Sequence, residues 1–263
     1  MFARPFKGGH KVRPYNKMAL QEEFEDLGNR FFRWRSYLPL FMGALFLAAL
    51  LSYRHPEAAP RPERWWQLGC LLVSLAGLGI RFYTVGFAPR GTSGRNTRGQ
   101  VAEVLNTSGM YSVVRNPLYL GNFIMWLGLA LFIKIWWVIL IVILAFTLFY
   151  ERIIFAEEKF LREKFGGDFL NWAAMTPAII PRLKNWRPPE LSFSWKSAFK
   201  REYSSFFAMI ASFTALAIIR DSLQAGRILV DQTWLMIFIF GLIIYLTLRT
   251  LKKKTQLLST VDR

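Results

Sequence analysis

Six apolar runs occupy so much of this 263-residue chain that few folds remain open to it. They extend from Tyr37 to Tyr53, Trp65 to Phe87, Tyr119 to Ile133, Trp136 to Phe155, Tyr203 to Ile219 and Trp234 to Arg249. A helix needs about 20 residues to cross about 30 Å of hydrocarbon, and fewer where flanking aromatic and long cationic side chains reach the interface. The runs therefore predict an all-α, polytopic membrane bundle of about six helices. Only Lys134 and Ile135 separate the third run from the fourth. The third is short, so this pair reads as a tight helical hairpin that need not cross fully.

The polar remainder is strongly basic. Composition is 53% hydrophobic, mean hydropathy is +0.25 and the formal net charge is +17, which suits a membrane protein with a charged aqueous face. With the N-terminus inside, the cytoplasmic segments hold 27 Lys and Arg residues and the external loops 6. That asymmetry predicts N-in and C-in. Trp65, Trp66, Trp136, Trp137 and Trp234 all fall at the expected external ends, where an indole prefers the interface. Nucleic acid is not the expected partner, because the basic residues flank apolar spans and do not line one helix face. Cys70 is the only cysteine, which leaves no disulfide framework and no CxxC metal site. The first run follows about 35 residues of mixed charge, unlike the short basic start of a cleaved signal peptide, so the first helix is expected to be retained.

Three expected cytoplasmic elements flank the spans. In "LQEEFEDLGNRFFRWRSYL", Phe24, Leu27, Phe31 and Trp34 recur at helical spacing beside Arg30, Arg33 and Arg35, which reads as a helix lying in the interface as a surface anchor. "APRGTSGRNTRGQ" joins the second and third spans. The third element runs from Arg152 to Arg201, with a charged helical start followed by "TPAIIPRLKNWRPPE", whose prolines end the helix. The expected organisation is residues 1–36 as an N-terminal segment, 37–95 as two membrane helices and a basic loop, 96–189 as a catalytic cassette, and 190–263 as two appended helices with a basic tail. There is no internal repeat, no GxGxxG, no GxxxxGK[ST] and no HExxH.

Chemistry concentrates at the two ends of the hairpin. In "VVRNPLYLGNFIMW", Asn116 and Pro117 form a helix start, the asparagine as a cap and the proline in a first turn that needs no donor from it. Arg115, with Tyr119 and Gly121 on the first turn, either makes an anion seat at the positive end of a helix or follows the basic bias of that membrane face. At the far end of the hairpin, "YERIIFAEEKFLREKFGGDFLNW" places Glu157 and Glu158 directly after a membrane helix. They read as a solvated face with an i,i+4 pair between Glu158 and Arg162, or as a seat for a cationic group.

Together, "TSGMYSVVRNPLYLGN", the hairpin and "EEKFLREKFGGDFLNWAAMTPAIIP" resemble the isoprenylcysteine carboxyl methyltransferase family and its relatives, the phospholipid amine methyltransferases. Those enzymes share an Arg-His-Pro-x-Tyr-x-Gly motif, a hydrophobic hairpin, a Glu-Glu pair, a Phe-Gly and a terminal Pro. The likeness covers Asn96 to Pro181. It implies S-adenosylmethionine as cofactor in a cytoplasmic pocket. By position, the implied contacts are Glu103, Val104, Leu105 and Asn106 before Tyr111, then Asn116, Pro117, Leu118 and Tyr119, and finally Glu157, with Gln100 a looser match. Asn116 replaces the family's histidine; it can orient a ligand but cannot titrate. Arg115 and Arg152 stand nearest the expected catalytic positions. The family's substrate-side arginine aligns with Ile153, one place from Arg152 and so about 100° around the helix.

Methyl transfer from a sulfonium is an in-line displacement that rests on alignment and water exclusion and needs no metal. Both histidines, His10 and His55, lie outside the cassette, which favours an acceptor oxygen that is already anionic, although a glutamate of raised pKa can serve as a base. Arg90, Arg95 and Arg98, joined by Arg115 and Arg81, suit a phosphate, which Arg98 and Arg115 would hold, or again follow the basic bias of the face. "GFAPRGTSGRN" and the appended helices resemble bacterial family members proposed to methylate lipid A phosphate. That resemblance implies a membrane lipid as partner, probed at the inner leaflet of a bacterial cytoplasmic membrane. A prenylcysteine carboxylate, a phospholipid amine, and an NADPH-dependent sterol-type reductase, whose Arg-His-Pro-Asn-Tyr-x-Gly string is similar, are the alternatives.

Overall fold

Apolar periodicity and helix stops account for each element of the bundle. The computed structural model describes residues 20–52, 64–89, 92 and 100–255. Helix α1 (Leu20–Trp34) passes through a 3₁₀ turn (Arg35–Tyr37) into α2 (Leu38–Ser52). Then follow α3 (Arg64–Phe87), the single turn α4 (Met110–Val113), α5 (Pro117–Ile133), α6 (Trp136–Phe165), α7 (Gly167–Met175), a 3₁₀ turn (Leu183–Asn185), α8 (Trp195–Ala225) and α9 (Gln232–Lys254). There is no strand among the described residues. Five helical stretches are long and apolar enough to cross a membrane, counting α1 and α2 as one, while α5 has 17 residues. The protein is a multi-pass helical membrane protein.

The hairpin is as tight as its sequence requires. Lys134 ends α5 in the left-handed region at φ 61°, its amide donating to the Leu131 carbonyl, and Ile135 begins α6. Helix α6 then continues past its apolar run to Phe165, about 45 Å in all at 1.5 Å per residue, so its last three turns project beyond the hydrocarbon. Gly166, at φ 55°, stops it.

Three expectations change. Helix α1 does not simply anchor the surface: it packs along α6, with Phe31 stacked on Phe149 at 4.8 Å, Phe24 edge-on to Phe155 at 6.0 Å and Lys159 paired with Glu25. Its Gly28 lies so close to the Arg152 carbonyl that a side chain would not fit. The last two helices are not a detached addition, because α8 packs on α3, α5 and α2. Trp234 is at the expected end of the bundle but is buried, stacked on Phe213 at 5.7 Å with its indole N–H donating to Gln67, so packing has drawn it out of the interface.

Among the described helices, α3 and α5 pack most extensively on each other. Ser74 Oγ donates to the Met125 carbonyl at 2.7 Å, and Gly77 faces Gly121 across the interface. Small residues let the backbones approach, which is how helices associate where lipid removes the hydrophobic drive. A β-carbon on Gly77 would stand 2.5 Å from the Gly121 carbonyl oxygen, whereas one on Gly43 would meet nothing within 4 Å. Gly77→Ala should therefore lower the thermal midpoint in detergent, by overpacking worth about 1–3 kcal/mol, and Gly43→Ala should not. Equal midpoints would show that the two helices part freely.

Candidate functional site

A cavity of about 720 Å³ opens where the basic ends of α3, α5, α6 and α8 meet the turn between α1 and α2. Its size falls in the range of about 300–1,000 Å³ typical of small-molecule sites. One wall is the cassette: the extended segment around Gln100 to Asn106, then Tyr111, the start of α5 and the projecting end of α6. The other wall is built by Arg35 and Pro39 near the first turn and by one face of α8.

At the centre Tyr119 Oη donates to Glu157 Oε1 at 2.7 Å, joining the first turn of α5 to the projecting turns of α6. Arg35 stands 3.8 Å from the same carboxylate oxygen and 3.5 Å from the tyrosine oxygen. Glu157 follows the first 20 residues of α6, a length that by itself suffices to cross about 30 Å of hydrocarbon. A quarter of its side chain remains accessible through the cavity. Even so, burial pushes its pKa from 4.5 up to about 7; the Tyr119 hydrogen bond and the Arg35 charge offset only part of the shift, and Glu158 adds to it. Burial, followed by the charge of Glu157, pushes the Tyr111 phenol up to about 12, so it stays a protonated donor.

The expected cofactor residues converge. Gln100, Val104, Leu105, Asn106, Tyr111, Asn116, Pro117, Leu118, Tyr119 and Glu157 all line this cavity. Glu103 does not; it is exposed, although its neighbours Ala102 and Val104 both line the cavity. The buried Gln100 Nε2 has no partner among the described residues. Asn116 occupies the N-cap position, yet its side chain does not cap the helix and donates instead to the Ala178 carbonyl at 3.1 Å.

The expected arginines fare differently. Arg115 is not an open anion seat: Nε and Nη2 grip both oxygens of Glu158 at 2.8 and 3.2 Å, and Nη1 donates to the carbonyls of Ala173 and Thr176. Glu158 accordingly pairs with Arg115 and not with Arg162. Arg152 faces away from the cavity, its guanidinium 3.5 Å over the Phe24 ring and 3.7 Å from Glu151. Five residues separate it from Glu157, about 500° of helix, which leaves the two side chains some 140° apart. Arg81 lines the cavity but is held by Glu202 at 2.9 and 2.7 Å and by Asn122 at 2.6 Å. Arg90, Arg95 and Arg98 lie outside the described residues, as do His10 and His55.

Sequence reasoning missed the second wall. Arg35, Glu202, Ser204 and Ala208 all face the site. One signal was present: Arg81 within an apolar span needed an anionic partner, and Glu202 is one of few acids beside an apolar run. The segment after α7 was also read only as a helix stop. It is a strap across the cassette, with the Arg115 amide donating to Pro177, the Arg182 amide to Val113, the Gly109 amide to Arg187, and Trp172 Nε1 to Tyr111.

A family model described as phospholipid methyltransferase matches residues 67–168, from α3 to the start of α7. The cobalt-zinc-cadmium resistance protein CzcN of Cupriavidus metallidurans is 36% identical over 161 residues, which are 59% of this chain and 68% of the relative. The nickel-cobalt-cadmium resistance protein NccN of Alcaligenes xylosoxydans xylosoxydans is 28% identical over 172 residues, 65% of this chain and 76% of the relative. No solved structure matches the chain.

Removing Glu158 would strand the Arg115 guanidinium. Glu158→Ala should cost about 1.5–3 kcal/mol, the range for hydrogen bonds to charged groups, and loosen the strap. Thermal unfolding and amide exchange over residues 173–187 report it, and unchanged exchange would mean that the pair holds nothing in place.

Proposed function

Because the chain belongs to the phospholipid methyltransferase family, we propose that it transfers the methyl group of S-adenosylmethionine to a lipid headgroup at the inner face of a bacterial cytoplasmic membrane. The observation that carries this reading is the Tyr119–Glu157 contact, which draws the two ends of the hairpin around one cavity large enough for such a cofactor. The chemistry of the lining fits the group. Glu157 suits its cationic centres, Gln100 Nε2 is a buried donor in want of an acceptor, and Asn106 and Tyr111 supply further polar contacts.

Bound there, the cofactor supplies an electrophilic methyl on a sulfonium. This chain's part is to orient and to exclude water. Tyr119 donates to Glu157 and so fixes the carboxylate, Arg35 leans on the same oxygen, and the strap holds the 109–116 segment against α7. Alignment of this kind is what an in-line displacement needs, since the acceptor oxygen carries its own negative charge.

A lipid phosphate, with lipid A as the leading case, is the proposed acceptor. Arg35, Arg81 and Arg115 each face a carboxylate, Glu157, Glu202 and Glu158, and Arg201 on the α8 wall adds one positive charge to the lining, a balance suited to an anionic headgroup. Esterifying a phosphate removes negative charge from the membrane surface and weakens its hold on divalent cations. That effect accords with relatives named for cobalt, zinc, cadmium and nickel resistance. A second reading, methylation of a phospholipid amine, draws on one observation: a carboxyl that titrates near 7 can take the proton a neutral amine must lose.

Lipids from membranes with and without the gene should differ by one added methylene, located by fragmentation on a phosphate. Its appearance on an amine would select the second reading, and no mass change would refute lipid methylation. The pH dependence follows from Glu157. The folded protein keeps this proton up to about 7 while an unfolded chain releases it near 4.5, so the group's contribution to stability is full below 4.5 and lost as pH rises through 7. Ligand binding runs the opposite way, since a cationic ligand wants the carboxylate. Affinity for S-adenosylhomocysteine, measured by calorimetry through its ammonium group, should fall up to about tenfold per pH unit below 7. Glu157→Gln should bind about 10- to 100-fold more weakly and lose that dependence; a flat profile in the unaltered protein would separate Glu157 from the ligand.

A further inference from the structure

We propose that one face of α8, centred on Ser204, holds the anionic oxygen of the acceptor lipid. This deepens the methyl-transfer reading and rests on it for the word acceptor, though the binding itself is separable. Residues Arg201, Ser204, Ser205 and Ala208 follow the i, i+3, i+4, i+7 pattern of a single helix face, and all four line the cavity. They lie outside the matched residues 67–168, opposite the wall that carries Glu157.

Ser204 departs from the habit of hydroxyls on the helices, its own included. Ser52, Thr84, Thr147, Ser212 and Thr214 each donate to the carbonyl four residues back, at 2.7–3.0 Å. That back-bond is the usual way a hydroxyl on an apolar helix satisfies itself. The corresponding carbonyl for Ser204 belongs to Lys200, and it accepts from Lys252 Nζ at 3.3 Å. Ser204 Oγ is buried and has no partner among the described residues. A buried hydroxyl without a hydrogen bond is costly and calls for an explanation; at the wall of a cavity, a ligand oxygen supplies one.

Placement selects the class of ligand. Ser204 stands where α8 passes from its basic first turns into its apolar run, the depth of a headgroup. One turn deeper, Ala208 is small and exposed, and across the cavity Pro39 begins the apolar α2. The seat is thus polar and cationic at headgroup depth and leads toward hydrocarbon, which fits a phosphate carried on acyl chains.

The test titrates the purified full chain in detergent with dioleoyl phosphatidic acid, followed by native mass spectrometry, with phosphatidylcholine as the background. Ser204→Ala should weaken phosphatidic acid binding about tenfold, the effect of one lost hydrogen bond. Ser204→Thr should retain it, as should Ser212→Ala, whose hydroxyl is exposed and back-bonded on the same helix. S-adenosylhomocysteine affinity should be equal in all four proteins. Unchanged phosphatidic acid binding in Ser204→Ala overturns the proposal, as does a selective loss of S-adenosylhomocysteine, which would place Ser204 on the donor. Competition by glycerol 3-phosphate at matching concentration would overturn the lipid source. Loss of all S-adenosylhomocysteine binding in the unaltered protein, with the Ser204-dependent lipid affinity intact, would refute methyl transfer and still support this seat.

Discussion

The bidentate pair between Arg115 and Glu158 is where the start of α5, the projecting turns of α6 and the end of α7 meet on one side chain. Arg115 precedes α5, Glu158 sits on the projecting turns of α6, and the same guanidinium collects the carbonyls of Ala173 and Thr176 at the end of α7. Four donors are thereby used on three elements. With Glu158 tied to the front of α5, Glu157 is presented one residue round the helix toward Tyr119. The polar centre of the cavity follows from that register, and the strap from 173 to 187 gains a fixed anchor against the segment that lines it.

Beneath this centre runs a second polar connection, from Glu202 through Arg81 and Asn122 to Tyr150, crossing α8, α3, α5 and α6. Arg81 and Glu202 are 14% and 4% exposed, so each ion's lost hydration has to be returned by the other. Such pairs add little net stability, but breaking one strands a charge in an apolar setting. Their value here is positional: the pair ties α8, which carries the second wall, to the helix pair that carries the first. Arg35 makes the equivalent link from the α1–α2 turn to Glu157. The cavity is therefore closed by charges on helices that lie on either side of the family-matched region.

How much of this could be read beforehand depended on range along the chain. Tyr119 and Glu157 were legible at the same end of the hairpin because a two-residue turn lays its two helices antiparallel and side by side, so that Tyr119 and Tyr150, equidistant from the turn, meet at 4.6 Å and Glu157 follows about two turns further along the same face of α6. Arg152 was legible as a departure from the family pattern, since helical phase alone separates it from Glu157. Glu158 stayed open between a solvated pair with Arg162 and a seat for a cation because its i,i+4 neighbour offered a local partner; the distant Arg115 provides two parallel hydrogen bonds where Arg162 offers a surface pair. Ser204 gave no signal at all. A serine near the start of a membrane helix is ordinary until its usual carbonyl is found accepting from a lysine 48 residues further on.

Hydropathy and spacing by themselves determined that the chain is a helical membrane bundle, where most of its helices lie, and that a short hairpin separates two polar ends. These are properties of period and length, which hydrocarbon thickness and backbone hydrogen bonding enforce locally. Tertiary structure alone decided which arginines are committed to carboxylates, that α1 and α8 close the cavity, and which hydroxyl is left without a partner. Charges on different helices choose among several possible partners, and only the packing of small residues such as Gly77 against Gly121 sets the distances that make one choice win.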